Sequence, residues 1–304
     1  MNSFVQDFKI AWNKQNSGLS RLIIINVAVF VVLNLAIWTA QIFDFASLAH
    51  FFHSILYIPA PIEEFIWRPW TLVTYFFTHQ NFFHILFNML MLYWFGMISD
   101  EFMGSKRTIA LYVYGGIVGG LLYLLVYNTI PFFYYNMPAI GMIGASASVY
   151  AIITGVATLT PEYRIYLLLF GPVKLKYLAA ITIFLSFIGS SGSNAGGNIA
   201  HLGGALLGFV FVKLLQRGRD LSIPLNRFLW FFPNSWHTLS TRFGKRARNA
   251  RYHHSSSRGE RAIPSQEEID RILDKISASG YESLTKEEKQ TLFRYSESES
   301  QRKK

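Results

Sequence analysis

The chain of 304 residues is 51% hydrophobic and 15% charged, has a formal net charge of +10 and contains no cysteine. Soluble domains carry about 25% charged residues, so this composition excludes a soluble globular protein and indicates a polytopic membrane protein. The lack of cysteine excludes disulfides, thiolate metal sites and a cysteine nucleophile. The positive charge does not indicate nucleic acid. Ten Lys/Arg against two acids lie between Arg217 and Arg261, directly after the last apolar block, where a basic segment reads as cytoplasmic membrane-surface sequence.

A span needs about 20 apolar residues, fewer where protein shields the helix. After an N-terminal cytoplasmic segment at 1–20, six such stretches occur, at 21–42, 81–99, 107–128, 142–159, 173–190 and 197–216. The first is too long and too poorly flanked for a cleaved signal peptide. Residues 43–80 are aromatic and interrupted by Pro59, Pro61 and Pro69, which predicts an interfacial loop with short helices. Span two carries His84 and Asn88 one turn apart on one face. Polar groups in hydrocarbon turn toward the bundle interior, where they mark a site or hold helices together. His79 reads as a tie between the loop and the bundle. Span three carries Gly115, Gly116, Gly119 and Gly120, a close-packing face that implies no chemistry.

Span four opens with Gly144-Ala-Ser146-Ala in the first turn of an apolar helical stretch over 141–158. Small residues there let another group approach the backbone, and N–H groups at a helix start can stabilise an oxyanion beside a serine nucleophile. The same residues serve equally for tight helix packing. Tyr150 lies four residues after Ser146, on the same face. Span five, rich in Leu, Ile and Phe, has no charged group after Lys176 and no small-residue seam, which suits a helix able to move aside for a substrate. Span six has Asn198 and His201 followed by a Gly204-xxx-Gly208 seam for close approach, with His201 turned toward the same neighbour.

Lys106 and Arg107 lie between spans two and three, and Arg164, Lys174 and Lys176 between four and five, whereas loops 129–141 and 191–196 carry no charge. The positive-inside rule then predicts cytoplasmic termini and puts the start of span four at the outer face. His201, in the outer part of span six, shares the depth of Ser146. Residues 217–264 form a basic, aromatic juxtamembrane segment, with Phe228–Phe232 and Trp236 suited to the inner interface, and a serine-rich linker. Residues 265–296 predict a small cytoplasmic helical hairpin, with capping boxes at Ser265–Glu268 and Thr285–Glu288 and a stop at Gly280. It reads either as a docking module for a protein partner or as a marginally stable tail.

Over about residues 65–215 the pattern resembles the rhomboid intramembrane serine proteases. Gly144-Ala-Ser146 is similar to the family's GxS motif on the fourth core helix, and His201 with Gly204 and Gly208 to its HxxGxxxG motif on the sixth. His84 and Asn88 match its HxxxN pair, Tyr150 the aromatic four residues after the serine, and Asp100 with Gly104 the turn that closes the second helix. Two positions depart from the pattern. Residue 147 is alanine where the family has glycine, and the loop motif Trp-Arg is Trp70-Thr71 here, with Arg68 two residues before Trp70.

The resemblance implies an all-α, six-transmembrane-helix bundle and an acid-free dyad, with Ser146 as nucleophile and His201 as general base. Tyr150 would orient the His201 ring. The Ser146 N–H, His84 and Asn88 would hold the oxyanion, and Gly144 would keep the backbone clear for substrate. The implied substrates are transmembrane segments of other proteins, cut near the outer face after local unwinding. The partners are these proteins and the lipid bilayer; no nucleic acid, metal or cofactor is called for, and HExxH is missing. A polar cavity open to the outside is expected, with Ser148 lining it or back-bonding within its helix. The expected location is the bacterial inner membrane. The competing classes are a non-catalytic rhomboid-like binder of membrane helices and a small transporter, the latter lacking inverted repeats in this sequence.

Overall fold

A computed structural model describes residues 18–167, 171–229, 266–285, 287–293 and 295. The expected N-terminal segment up to residue 17, the aromatic and linker sequence from 230 to 264, and the first residue of the Ser265 capping box lie outside the described residues. The chain divides into two compact units, Met1–Pro233 and Asn234–Lys304.

In the first unit, four helices are long and apolar enough to cross a membrane: α1 (Gly18–Ile42), α5 (Phe82–Met103), α6 (Ser105–Thr129) and α10 (Ala195–Gln216). Between α1 and α5 the chain makes the short helices α2 (Ala46–Leu56), α3 (Ile62–Trp67) and α4 (Thr71–Thr74), then a 3₁₀ turn at Tyr75–Phe77. Pro61 precedes α3 in extended conformation, as a proline that fixes φ and lacks an N–H does well at a helix start. After α6 come α7 (Pro131–Tyr134) and two shorter apolar helices, α8 (Ser146–Leu159) and α9 (Leu175–Gly189). These six apolar helices make the first unit a membrane protein.

The interval between α8 and α9 is not a plain loop. Strands β1 (Arg164–Leu167) and β2 (Gly171–Lys174) pair antiparallel, with Arg164 opposite Lys174. Glu162 at the base bonds both Lys174 and Lys176, and these contacts hold its carboxyl down to about 2.

α8 begins at Ser146, four residues later than its apolar run predicts. The cause is non-local: Met142 pairs with Ile58 in an isolated antiparallel bridge, which keeps residues before the helix extended. Ten of the fourteen α8 residues are buried, including Ser148 and Thr154. This is possible because α8 runs between two glycine faces. A Cβ at Gly115 or Gly119 of α6 would stand 2.4 or 2.6 Å from the methyl of Ala151 or Ala147. A Cβ at Gly204 or Gly208 of α10 would stand 2.0 or 2.2 Å from the carbonyl of Ala147 or Ala151. The three backbones are as close as glycine permits, the arrangement by which membrane helices gain contact without a hydrophobic drive.

Polar ties close the rest. Asn26 and Tyr112 bond one another, and the Tyr112 hydroxyl donates to the carbonyl of Phe76 at 2.8 Å. At the opposite end from Ser146, Arg107 meets Asp220 at 2.8 Å, joining the start of α6 to the chain after α10. In the second unit, α11 (Gln266–Ser279) buries Ile269 and Ile272, and Leu284 is buried beyond a 3₁₀ turn at Tyr281–Ser283. Residues 287–293 are helical. Thr285 and Glu288 cap one another, the Thr285 N–H donating to the carboxylate at 2.7 Å, and Lys275 reaches the same carboxylate.

Candidate active site

The stretch before α8 is held from three sides. The Gly144 N–H donates to the carbonyl of Tyr75 at 3.0 Å, the Ala145 N–H donates to His79 Nε2 at 3.2 Å, and Met142 is paired with Ile58. His79 is fully buried and so ties the loop directly to the residue before Ser146. Gly144 has φ = 122°, a conformation that side chains disfavour, and a Cβ there would lie 2.7 Å from the His84 ring. The sharp turn at Gly144 therefore delivers Ser146 as the first residue of α8 while leaving His84 room to lie against the turn. The first N–H groups of α8, starting at Ser146, have no partner one turn earlier in the helix.

α10 brings His201 to the same place. Its Nε2 lies 2.7 Å from Ser146 Oγ, a short hydrogen bond between groups 55 residues apart. Gly204 and Gly208 allow this, since their missing side chains admit the carbonyls of Ala147 and Ala151. Tyr150 stacks on His201 with ring centroids 4.3 Å apart and planes 12° from parallel. A serine hydroxyl so placed can pass its proton to the imidazole as it attacks a carbonyl.

Seven of the eight predicted site residues, Gly144, Ser146, Tyr150, His84, His201, Gly204 and Gly208, thus come together. Asn88 is nearly buried one turn along α5, and its amide donates to the carbonyl of His84 at 2.8 Å, within its own helix. Ser148 does not back-bond: its hydroxyl is buried without a partner among the described residues.

The departures at 147 and 71 have local explanations. The Ala147 methyl points away from the serine, into the space that Gly119 leaves open on α6. Thr71 is fully buried and donates to the carbonyl of Arg68 at 2.6 Å, Trp70 Nε1 donates to Ile55, and Arg68 pairs with Glu64. The loop is tied to Ile55 through Trp70 and Thr74, whereas the Arg68 pair with Glu64 stays within one helical turn.

A cavity of about 680 Å³ opens at this end of the bundle, lined by His84, Tyr123, Tyr127, Met142, Ile143 and the 191–197 segment. Polar and apolar groups share its wall, and neither Ser146 nor His201 is in the lining. One neighbour of His201 carried no motif in the sequence. Ser186 of α9 lies 3.1 Å from His201 Nδ1 and 3.0 Å from the Tyr150 hydroxyl. Its only signal was a serine within an otherwise large and apolar helix.

The rhomboid-domain family matches residues 66–218, half of the chain, and the match contains every one of these site residues. The chain belongs to the rhomboid family. Among its relatives, RHOMBOID-like protein 12, mitochondrial, of Arabidopsis thaliana is 31% identical over 159 residues, covering 49% of this chain and 47% of that protein. Presenilin-associated rhomboid-like protein A, mitochondrial, of Danio rerio is 28% identical over 177 residues, covering 54% and 40%. The putative rhomboid protease YdcA of Bacillus subtilis is 28% identical over 151 residues, covering 49% and 70%. The chain thus spans about half the length of the first two. Residues 259–298 match a separate family of unknown function (DUF6576).

Proposed function

We propose that this rhomboid-family protein is an intramembrane serine endopeptidase that cleaves transmembrane segments of other membrane proteins near the outer face. The observation that carries the reading is the 2.7 Å contact between Ser146 Oγ and His201 Nε2, with the His201 ring stacked on Tyr150. Ser146 attacks the scissile carbonyl, and His201 takes its proton and later returns it to the leaving amine. The oxyanion is held by the Ser146 N–H with His84 and Asn88, each such donor being worth about 10²–10³ in rate. Asn88 has to turn its amide from the His84 carbonyl toward the oxyanion, so its share falls below that of His84. Gly144 keeps the backbone open for an unwound substrate strand, and the cavity beside His84 supplies water.

The same reading takes α8 and α9 as spans four and five, shielded by their neighbours and so able to be short. It keeps both termini in the cytoplasm and the bacterial inner membrane as the site of residence. The second unit is read as a helical hairpin that docks a protein partner.

The test is reaction of the detergent-purified full chain with a serine-directed fluorophosphonate, wild type beside Ser146→Ala and His201→Ala. Labelling of the wild type alone is the expected result. A folded wild type that stays unlabelled overturns the protease reading in favour of a non-catalytic binder of membrane helices.

A further inference from the structure

Ser186 is the one buried polar side chain of α9, a helix that otherwise buries only Leu175 and Ala179. Its hydroxyl sits between His201 Nδ1 at 3.1 Å and the Tyr150 hydroxyl at 3.0 Å. The Tyr150 hydroxyl in turn reaches the backbone carbonyl of Thr182 at 3.4 Å. These four groups form one continuous chain from α9 through α8 to the imidazole of α10.

The direction of that chain follows from its far end. A carbonyl oxygen only accepts, so the Tyr150 proton is directed to Thr182. The Tyr150 oxygen is then left to accept from the Ser186 hydroxyl. Having spent its proton, the Ser186 oxygen accepts from His201, which requires the proton of a neutral imidazole to be on Nδ1. Nε2 is therefore bare and faces Ser146 Oγ as an acceptor. In the reverse polarity, Nε2 would carry the proton and point it at Ser146, and the imidazole could not act as a base. Which ring nitrogen holds the proton is set by the bond the other one makes. Among the described residues both ring nitrogens of His201 meet serine hydroxyls and no carboxylate, so a hydroxyl is what settles the choice.

We infer that Ser186 is a positioning residue that fixes the His201 tautomer, holding the proton on Nδ1 and leaving Nε2 free toward Ser146. The inference rests on the Ser146–His201 reading for its relevance to catalysis, but the tautomer itself is observable without any reaction.

The experiment is ¹⁵N NMR of the full chain in detergent, labelled at histidine nitrogens, with the His201 signals assigned by their loss in His201→Ala. The wild type is expected to show a single His201 tautomer protonated at Nδ1. Ser186→Ala is expected to shift the tautomer ratio toward Nε2–H by about 3- to 10-fold, the scale of one neutral hydrogen bond. Fluorophosphonate labelling should slow in proportion to the Nδ1–H fraction lost, and Ser186→Thr, which restores the hydroxyl, should recover both. If Ser186→Ala does not fold, Tyr150→Phe poses the same question. It keeps the ring on His201 but removes the acceptor for Ser186, and it should shift the ratio in the same direction. An Nδ1–H tautomer unchanged in Ser186→Ala, or in Tyr150→Phe where only that variant folds, overturns the inference while leaving the protease reading intact. A locked tautomer in a wild type that reacts with no fluorophosphonate removes the protease reading and keeps the role of Ser186.

Discussion

Helices α8 and α9 are nearly equal in length and both strongly apolar, yet α8 buries ten of fourteen residues and α9 three of fifteen. The difference lies in side-chain size rather than hydrophobicity. Apart from Tyr150 and Leu159, α8 is built of Ala, Ser, Thr, Val, Ile and Gly and fits between the glycine faces of α6 and α10. α9 turns Phe184, Leu185, Phe187 and Ile188 outward, more than half exposed. In a bilayer, lipid tails are as apolar as leucine, so burial has to come from close backbone approach. The helix that carries Ser146 is fixed on all sides, whereas the helix that carries Ser186 meets the bundle along one edge.

This contrast can be broken most severely at Gly204. Gly204→Val drives a side chain into the carbonyl of Ala147 and should cost about 3 kcal/mol, the upper end of overpacking penalties. Denaturant unfolding in detergent measures it, and a loss as small as that of an α9 surface variant would discredit the close-packed seam. At the site, Gly144→Ala adds a methyl against His84 in a disfavoured backbone conformation. Fluorophosphonate labelling should fall about 100-fold, as a displacement of about 1 Å produces. Labelling at the wild-type rate would remove the turn from the argument.

Smaller effects sharpen the comparison. Ala147→Gly restores the family's residue but empties the space against Gly119, so stability should drop by about 0.5–1 kcal/mol without a gain in labelling. A marked gain in labelling would show that the methyl does reach the serine. On α9, Leu185→Ala should change stability by less than about 0.5 kcal/mol, because its side chain already faces outward. At the strand pair between the two helices, acid supplies the last handle. The Glu162 value is depressed in the folded state, so its contribution is complete above the ordinary carboxylate value of about 4.3 and disappears as pH falls through about 2. Amide shifts of β1 and β2 followed between about pH 6 and pH 2 should move with that low midpoint; a midpoint near the ordinary value would rule out the lysine clamp.

Much of the site was legible because its residues sit on strongly periodic apolar helices. The spacing of Ser146 to Tyr150 and of His201 to Gly204 fixes faces, and the charge distribution of the short loops fixes common depth. What stayed hidden depends on contacts distant in sequence. The late start of α8 is imposed by Ile58, 84 residues before Met142, and no local propensity encodes it. Ser186 forms no motif, and only the meeting of three helices gives it partners. The strand pair at 164–174 did leave a trace, the alternation of Arg164-Ile-Tyr-Leu167 before Gly171-Pro172, masked by apolar neighbours that read equally as loop or helix end.

The bridge between Ile58 and Met142 also bears on the order of folding. Together with Tyr75 to Gly144 and His79 to Ala145, it joins segments 66 to 84 residues apart at the turn that presents Ser146. Helices inserted one after another can form on local contacts alone, but this turn closes only after the intervening helices, α3 to α7, have found their places, because long loops bear their closure entropy before non-local contacts reward it. Ser146 is thus presented only once those distant segments have met, and a chain arrested before its sixth apolar helix has docked carries Ser146 without His201.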